Sequence, residues 1–148
     1  MRYKINDRYM ITRVIKEYPK LHQEINRIKD DIIYSRGKAT DRHSPTSDPT
    51  SYKAMAIMSD KRIIELEREL SAVDAGIAYI KTRHDASNAL MLLDLLYWKR
   101  KYNFDGAIDK IGFSKRHGEE IIKHFRFIVA QQLGNVTIVS QSEGSQGG

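Results

Sequence analysis

Apolar residues recur at alternating spacings of three and four along two long stretches of the chain. The first stretch covers residues 7–35, and the second ends at about Arg83. This spacing places the apolar side chains on one stripe of an α-helix. The first stripe contains Ile11, Val14, Tyr18, Leu21, Ile25, Ile28 and Ile32, and the second contains Ile63, Leu66, Leu70, Val73, Ile77 and Ile80. The pattern therefore predicts two long amphipathic helices.

The segment between these helices, residues 36–51, collects Gly, Ser, Thr, Asp and two prolines, which predicts a loop. Ser51 or Ser59 could cap the second helix. Pro19 lies within the first helix and has no backbone N–H, so we expect a kink or a restart of the helix there. Two similar stripes joined by one loop predict a long antiparallel, coiled-coil-like hairpin, although an intermolecular coiled coil would use the same residues.

Shorter elements are predicted in the C-terminal half. Asp85 or Ser87 could cap a third helix, and further helices are expected at about 105–111 and 115–133. Residues Val136–Val139 fit a short strand. The predicted fold class is therefore all-α.

These elements divide the chain into three predicted parts. Residues 1–84 form the hairpin arm, residues 85–134 form a C-terminal helical bundle, and residues 135–148 form a flexible tail. The tail closes in Gly, Ser and Gln, which bury too little surface to become ordered. A chain of 148 residues accommodates one small domain with such an arm.

Composition narrows the functional classes. The chain has no cysteine, which excludes a disulfide framework, a thiolate metal site and a cysteine nucleophile, and it favours a reducing cytoplasm. No apolar run approaches the roughly 20 residues of a membrane span, and the charged N-terminus is unlike a signal peptide. The five histidines lack metal-ligand spacing, and no phosphate loop or nucleophile motif is present. We therefore expect a binding protein without metal or cofactor rather than an enzyme.

The charge distribution favours a polyanionic partner. The net charge is +6, and Lys and Arg outnumber Asp and Glu by nine to five in residues 1–37. The ratio is six to seven in residues 52–94 and eight to four in residues 95–126. The positive excess thus lies at both ends of the chain, and a basic excess is typical of proteins that bind nucleic acid.

The most informative motif lies in residues 94–133. A short helix presents an apolar face formed by Phe104, Ala107, Ile108 and Ile111. Gly112 then permits a turn with positive φ, Phe113 can fill the core between helices, and Ser114 is a good N-cap. The following helix has a predicted buried stripe of Ile121, Ile122, Phe125, Ile128, Val129 and Leu133. This order of scaffold helix, turn and recognition helix is that of a helix-turn-helix.

Two stretches resemble known proteins. The stretch AIDKIGFSKRHGEEIIKHFRFIVAQQL resembles the helix-turn-helix of sigma-factor region 4, and YPKLHQEINRIKDDI resembles the N-terminal arm of RinA/ArpU-type phage transcriptional regulators. Those regulators combine a helical N-terminal region with a sigma-like helix-turn-helix and activate late phage operons, including packaging and lysis genes. The resemblance covers roughly residues 10–134. It implies a sequence-specific activator that binds promoter DNA and acts with host RNA polymerase in the bacterial cytoplasm.

The resemblance also implies which side chains face DNA. The predicted DNA-binding residues are Ser114, Lys115, Arg116, His117, Glu119, Glu120 and Lys123, with Lys99, Arg100 and Lys101 before them. Lys and Arg pair with guanine edges or phosphates, and Glu accepts from the cytosine amino group. Gly118 departs from the pattern, because such helices place an apolar residue there and Gly costs about 1 kcal/mol relative to Ala.

Several interpretations stay open at this point. Glu119 and Glu120 provide specificity through cytosine or mark a face that binds protein. The basic residues 99–101 contact phosphates or are a solvated helix end next to the negative pole of the helix dipole. Trp98, with Tyr97 and Tyr102, is interpreted as packing between helices rather than as a platform for bases.

Two further functional classes fit the same elements. The first is a small terminase subunit, which joins a helix-turn-helix to an oligomerisation arm and forms a ring. The second is a protein-interaction module without DNA binding. Because one helix-turn-helix buries limited surface, DNA binding by this chain would require a homodimer or a partnership with RNA polymerase.

Overall fold

The computed structural model describes residues 2–40 and 49–139 and is dominated by helices. The helices in these ranges are α1 (Arg8–Thr40), α2 (Pro49–Ser59), α3 (Lys61–Lys81), α4 (Ala86–Leu93), α5 (Phe104–Ile111) and α6 (Lys115–Gln132). A π-helical turn, Asp94–Trp98, continues α4, and the short strands β1 (Arg2–Ile5) and β2 (Val136–Val139) pair antiparallel. The predicted all-α class is confirmed.

Both predicted stripes lie on the buried sides of their helices. The half-buried members are Tyr18, Ile32, Leu66, Leu70 and Ile77, and every other stripe residue is buried. In proteins the packing of such an apolar face stabilises a helix more than intrinsic propensity does. The regular spacing in the sequence therefore correctly predicts which side of each helix is buried.

The chain forms two compact units, and one of them combines segments from both ends of the sequence. The terminal unit contains Met1–Glu17 and Ser71–Gly148, and the central unit contains Tyr18–Leu70. The predicted boundary between the parts 1–84 and 85–134 thus falls inside the terminal unit. Pairing of β1 with β2 holds the two ends of the chain together, which spacing along the sequence does not reveal.

In the central unit, α1 packs against α2 and α3. The core of this unit contains Ile25, Ile28 and Ile63, with Ile32, Ile57, Leu66 and Leu70 packed around them. An ion pair of 3.6 Å between Lys29 and Glu67 also joins α1 to α3. Both side chains reach solvent, so this pair contributes at most about 1 kcal/mol. Apolar burial therefore provides most of the stabilisation of this unit.

The core of the terminal unit is built from both ends of the chain. Its fully buried large side chains are Ile11, Val14 and Ile15 of α1, Val73 and Ile80 of α3, Leu92 and Leu93 of α4, and Ile121, Phe125 and Val129 of α6. Gly76 of α3 gives the Phe125 ring its space, since a Cβ there would lie 2.8 Å from ring atom Cε1. The first turns of α1 thus belong to the same core as the C-terminal helices.

Both ends of the predicted loop 36–51 are helical in the structure. Helix α1 continues to Thr40, and α2 begins at Pro49. Proline is favoured in the first turn of a helix, because its missing N–H would have no helical partner there. Residues 41–48 lie outside the described residues.

The predicted second long helix is divided into α2 and α3 at Asp60. The Asp60 carboxylate accepts hydrogen bonds from the backbone N–H groups of Arg62 and Ile63, at 2.9 and 3.3 Å. This cap satisfies donors that the first turn of a helix leaves unpaired. The predicted cap by Ser59 is therefore wrong, since its hydroxyl donates to a carbonyl of the preceding turn instead. Ser51, the other predicted cap, lies inside α2.

The strand predicted at the start of the tail is confirmed as β2. Its partner β1 was not predicted. In the ladder Tyr3 lies opposite Ile138, and the Tyr3 ring packs 5.2 Å from that of Phe127 on α6. The tail predicted to be flexible therefore begins with a paired strand, and residues 140–148 lie outside the described part of the chain.

Helix α1 continues without a restart through Pro19. A proline has no N–H, so the carbonyl four residues earlier, that of Ile15, lacks its helical partner. Trp98 donates its indole N–H to this carbonyl at 2.8 Å. Of the predicted kink or restart, the restart is wrong, and a side chain from another element supplies the donor that the proline lacks. Trp98 is half-buried and Tyr97 is buried, as their interpretation as packing residues predicts.

We expect Trp98→Phe to lower the free energy of unfolding by about 1–3 kcal/mol, because it leaves the Ile15 carbonyl without a donor. Pro19→Ala restores a backbone N–H at the position that can bond this carbonyl. The cost of Trp98→Phe should therefore be smaller in the Pro19→Ala background. Urea unfolding of the four proteins of this double-mutant cycle measures the difference. Equal costs in both backgrounds would contradict the proposed link.

Candidate functional site

A side-chain cap begins each of α5 and α6, and a tight turn joins the two helices. The Asn103 side chain accepts from the N–H of Gly106 at 2.8 Å, and the Ser114 hydroxyl accepts from the N–H of His117 at 3.1 Å. Gly112 ends α5 with φ of 92°, a conformation that strains other residues. Gly112 and Ser114 thus take the conformations that the sequence predicts, whereas the cap by Asn103 was not predicted.

Gly118 determines how closely α5 and α6 approach each other. A Cβ at this position would lie 2.6 Å from Cγ2 of Ile108 and 3.2 Å from Cζ of Phe104. The first of these distances is far inside van der Waals contact. The glycine that departs from the expected apolar residue is therefore required by the packing of the two helices.

Helix α6 has a buried side and an exposed side. On the predicted stripe Ile121, Phe125, Val129 and Leu133 are buried, and Ile122 and Ile128 are half-buried. The predicted DNA-side residues that are exposed are Ser114, Lys115, Arg116, Glu119, Glu120 and Lys123. The first three turns of α6 therefore present three cations and two carboxylates to solvent.

His117 behaves differently from its neighbours. Its side chain is only 33% exposed, and its Nε2 lies 2.7 Å from Oδ2 of Asp85. Arg83 donates to the same carboxylate from Nε at 2.8 Å and from Nη2 at 3.2 Å. The Phe113 ring packs edge-on against the His117 ring, with centroids 4.7 Å apart. His117 is thus engaged in holding the first turn of α6, and its ring is less available for a ligand than the sequence implies.

Asp85 stands at the N-cap position of α4, but its side chain makes no cap hydrogen bond. The hydrogen bonds from Arg83 hold the pKa of the Asp85 carboxyl well below its usual range, against the opposing effect of burial, and the bond with His117 lowers this pKa further. The hydrogen bonds between Arg83 and Asp85 also raise the pKa of the Arg83 guanidinium. Asp85 is therefore ionised at neutral pH and anchors α6 to the chain before α4.

The predicted phosphate-contacting residues Lys99, Arg100 and Lys101 are all exposed. The Lys99 ammonium lies 3.2 Å from the Asp94 carboxylate, which fits the helix-end interpretation for this residue. Arg100 has φ of 52°, so the chain turns sharply there. Arg100 and Lys101 have no ion-pair partner among the described residues, and they are free to contact a phosphate.

A cleft of about 420 Å³ lies beside the exposed side of α6. It is lined by Ile5, Arg8, Phe104, Glu119, Ile122, Lys123 and Arg126. Of these residues only Glu119 and Lys123 are predicted from the sequence to be functional. Arg8 and Arg126 are not, because their proximity depends on tertiary structure. The basic excess in residues 1–37 is the one sequence feature that points to Arg8, and it does not show which residues Arg8 lies near.

Arg126 connects α6 to the beginning of α1. Its Nη1 donates to the Thr12 hydroxyl at 2.8 Å and to the Tyr97 hydroxyl at 3.4 Å, and its Nη2 donates to the Arg8 carbonyl at 3.0 Å. Burial raises the pKa of Tyr97, so this phenol stays neutral. Arg126 therefore makes several hydrogen bonds, all of them to uncharged oxygens.

The two compact units differ in charge. Residues 1–17 and 71–148 hold 15 of the 25 Lys and Arg and 10 of the 19 Asp and Glu, whereas residues 18–70 hold ten against nine. Nearly all of the net positive charge thus belongs to the terminal unit. The basic excesses at the two ends of the sequence are parts of one charged body.

Neither a cluster of metal-ligating side chains nor a helix able to span a bilayer is present in the described ranges. Within residues 2–40 and 49–139 no group of three or more His, Asp or Glu side chains is arranged to hold a metal ion. None of the helices in these ranges combines the length and the apolar character that crossing a bilayer requires.

We expect Gly118→Ala to lower the free energy of unfolding by about 1–3 kcal/mol, because the added methyl group collides with Ile108. At an exposed helical position the same substitution would stabilise by up to about 1 kcal/mol. Urea unfolding measures the change, with Glu119→Ala as the exposed control on the same helix. Stabilisation by Gly118→Ala would contradict the close packing of α5 and α6.

We expect Asp85→Asn to lower the free energy of unfolding by about 1–3 kcal/mol at pH 7, because Arg83 and His117 lose a charged acceptor. Folding lowers the pKa of Asp85, so its contribution is fully present above the unfolded value of about 4 and is lost progressively as the pH falls from there through the still lower folded value. The difference between wild type and variant should shrink in urea unfolding at pH 3. Asp109→Asn, at an exposed position, should change little at either pH. A difference that is unchanged at pH 3 would refute the ionic role.

No family model, curated protein or solved structure matches the chain.

Proposed function

We propose that this protein is a sequence-specific DNA-binding transcriptional regulator that places the first turns of α6 in the major groove. The observation that carries the proposal is the exposed face of α6, where Lys115, Arg116 and Lys123 follow a capped, glycine-containing turn. Helices that enter a major groove contact base edges with residues of their N-terminal turns. The protein acts by binding and not by catalysis.

The fixed position of α6 supports this proposal. The Ser114 cap, the close packing at Gly118 and the bond between His117 and Asp85 all restrain the first turns of the helix. Side chains on a restrained helix lose less conformational entropy on binding than those on a mobile loop. A restrained face is what recognition of base edges requires, since each bidentate contact depends on direction.

The charge distribution supports the same proposal. Nearly all of the net charge lies in the terminal unit, so the attraction for DNA phosphates belongs to the unit that contains α6. Phosphate contacts would supply most of the affinity, and side chains between Lys115 and Lys123 would discriminate between sequences. In this role Glu119 and Glu120 accept hydrogen bonds from cytosine amino groups.

The resemblance to sigma-factor region 4 and to RinA/ArpU-type regulators supports a more specific proposal. The protein is then a phage-encoded activator of late genes that binds promoter DNA in the host cytoplasm together with RNA polymerase. The central unit, which carries little net charge, serves as the arm that meets a protein partner or a second copy of the chain.

The test is an anisotropy titration of the purified protein against DNA duplexes tiled from its own genomic neighbourhood, at two salt concentrations. We expect one duplex to bind tightly and more weakly at high salt. The Lys115→Ala/Arg116→Ala variant should lose about tenfold or more in affinity for it. The slope of log K against log salt should fall by about two, one unit for each lost cation.

The matched control removes two exposed cations of the same unit, Lys16 and Lys81, as Lys16→Ala/Lys81→Ala. This control should leave affinity and salt slope near those of wild type. Absence of salt-dependent DNA binding in the wild type would reject the proposal in favour of a protein-interaction module. A molar mass of many copies by light scattering would favour a ring-forming terminase subunit instead.

A further inference from the structure

The cleft beside α6 collects positive charge from two distant parts of the sequence. Arg8, the first residue of α1, and Lys123 and Arg126 of α6 all line it. Glu119 is the only carboxylate among its lining residues. In the described part of the chain none of these three cations has a carboxylate partner. The cleft therefore carries an excess of positive charge that the protein does not neutralise itself.

Arg126 is the most informative of these cations. It is half-buried, and its three hydrogen bonds go to the Thr12 and Tyr97 hydroxyls and the Arg8 carbonyl. Because these acceptors are neutral, no carboxylate of residues 2–40 and 49–139 offsets the charge of this half-buried guanidinium. An anion in the cleft would gain from this charge without breaking the existing bonds.

The pairing of the strands fixes the position of Arg8. Strand β1 is bonded to β2, and the N–H of Asp7 donates to the side chain of Asn135 at 2.7 Å. The Asp7 carboxylate in turn accepts from the N–H of Met10 at 3.0 Å, which caps the start of α1. These contacts hold the beginning of α1 next to α6, so that Arg8 projects from an ordered backbone.

The remaining lining of the cleft is apolar. Ile5, Phe104 and Ile122 complete its walls. A nucleotide of the DNA backbone presents a charged phosphate beside the carbon atoms of a deoxyribose, and DNA-binding proteins contact both groups. A cleft with cations and apolar side chains is complementary to this combination, and it lies on the same side of α6 as Glu119 and Lys123.

We propose that this cleft binds a phosphate and its sugar from the DNA backbone, so that the N-terminal segment is the second half of the DNA interface. This inference rests on the proposed function, because it assumes that α6 lies in the major groove. Arg8 and Lys123 then bind the phosphate, and the guanidinium of Arg126 adds its positive charge to the wall of the cleft. The contact fixes the register of α6 on the duplex without reading sequence.

The test measures the affinity of Arg8→Gln and of the wild type for two duplexes across a series of salt concentrations. One duplex has mixed sequence, and the other is the tightly bound duplex from the tiled set. The Arg8 backbone carbonyl that Arg126 bonds is retained in this variant, and the side chain is exposed, so the fold should be unaffected. The matched control is Lys16→Gln, which removes an exposed cation of α1 that does not line the cleft. We expect Arg8→Gln to weaken binding to both duplexes by the same factor and to reduce the salt slope by about one. Lys16→Gln should match the wild type.

The outcomes separate the two proposals. If the wild type binds DNA and Arg8→Gln has the wild-type salt slope, the cleft is not a phosphate site and the role of α6 stands. If the wild type does not bind DNA, both proposals fail. A titration with inorganic phosphate separates DNA from a small anion as the ligand. If Arg8→Gln weakens phosphate binding and leaves DNA binding unchanged, the cleft binds a small anion and the inference is overturned.

Discussion

The hydrogen bond from the Trp98 indole to the Ile15 carbonyl joins the first turns of α1 to the C-terminal helices. Pro19 leaves this carbonyl without its helical donor, and a buried carbonyl without any donor would cost about 1–3 kcal/mol. Arg126 adds three hydrogen bonds to α1 and the π-helical turn. Because α1 is held in this way, β1 reaches β2 and the N-terminus becomes part of the terminal unit.

The same unit holds α6 in a defined position before any partner binds. Gly118 permits the close contact with α5, Ser114 caps the first turn, and Asp85 binds His117 from the other side. These short-range contacts are of two kinds, steric at Gly118 and hydrogen-bonding at Ser114 and His117. Their combination restrains the turns that carry Lys115 and Arg116, and a restrained surface suits recognition better than a mobile one.

The two compact units divide the properties of the chain between them. The terminal unit carries the positive charge, the capped turn and the cleft, whereas the central unit is nearly neutral and is held together by isoleucine and leucine packing. The net positive charge of the chain therefore resides almost entirely in one of the two units.

Local patterns in the sequence determined the helices, because periodic burial and caps involve residues a few positions apart. The stripes of α1 and α3, the φ of Gly112 and the Ser114 cap could all be predicted on that basis. Tertiary structure alone decided which distant groups meet. The donor for the Ile15 carbonyl, the engagement of His117 by Asp85 and the approach of Arg8 to Lys123 join residues that are 32 to 115 positions apart. No spacing rule connects such residues, because their contact depends on how the helices pack and how the chain ends pair.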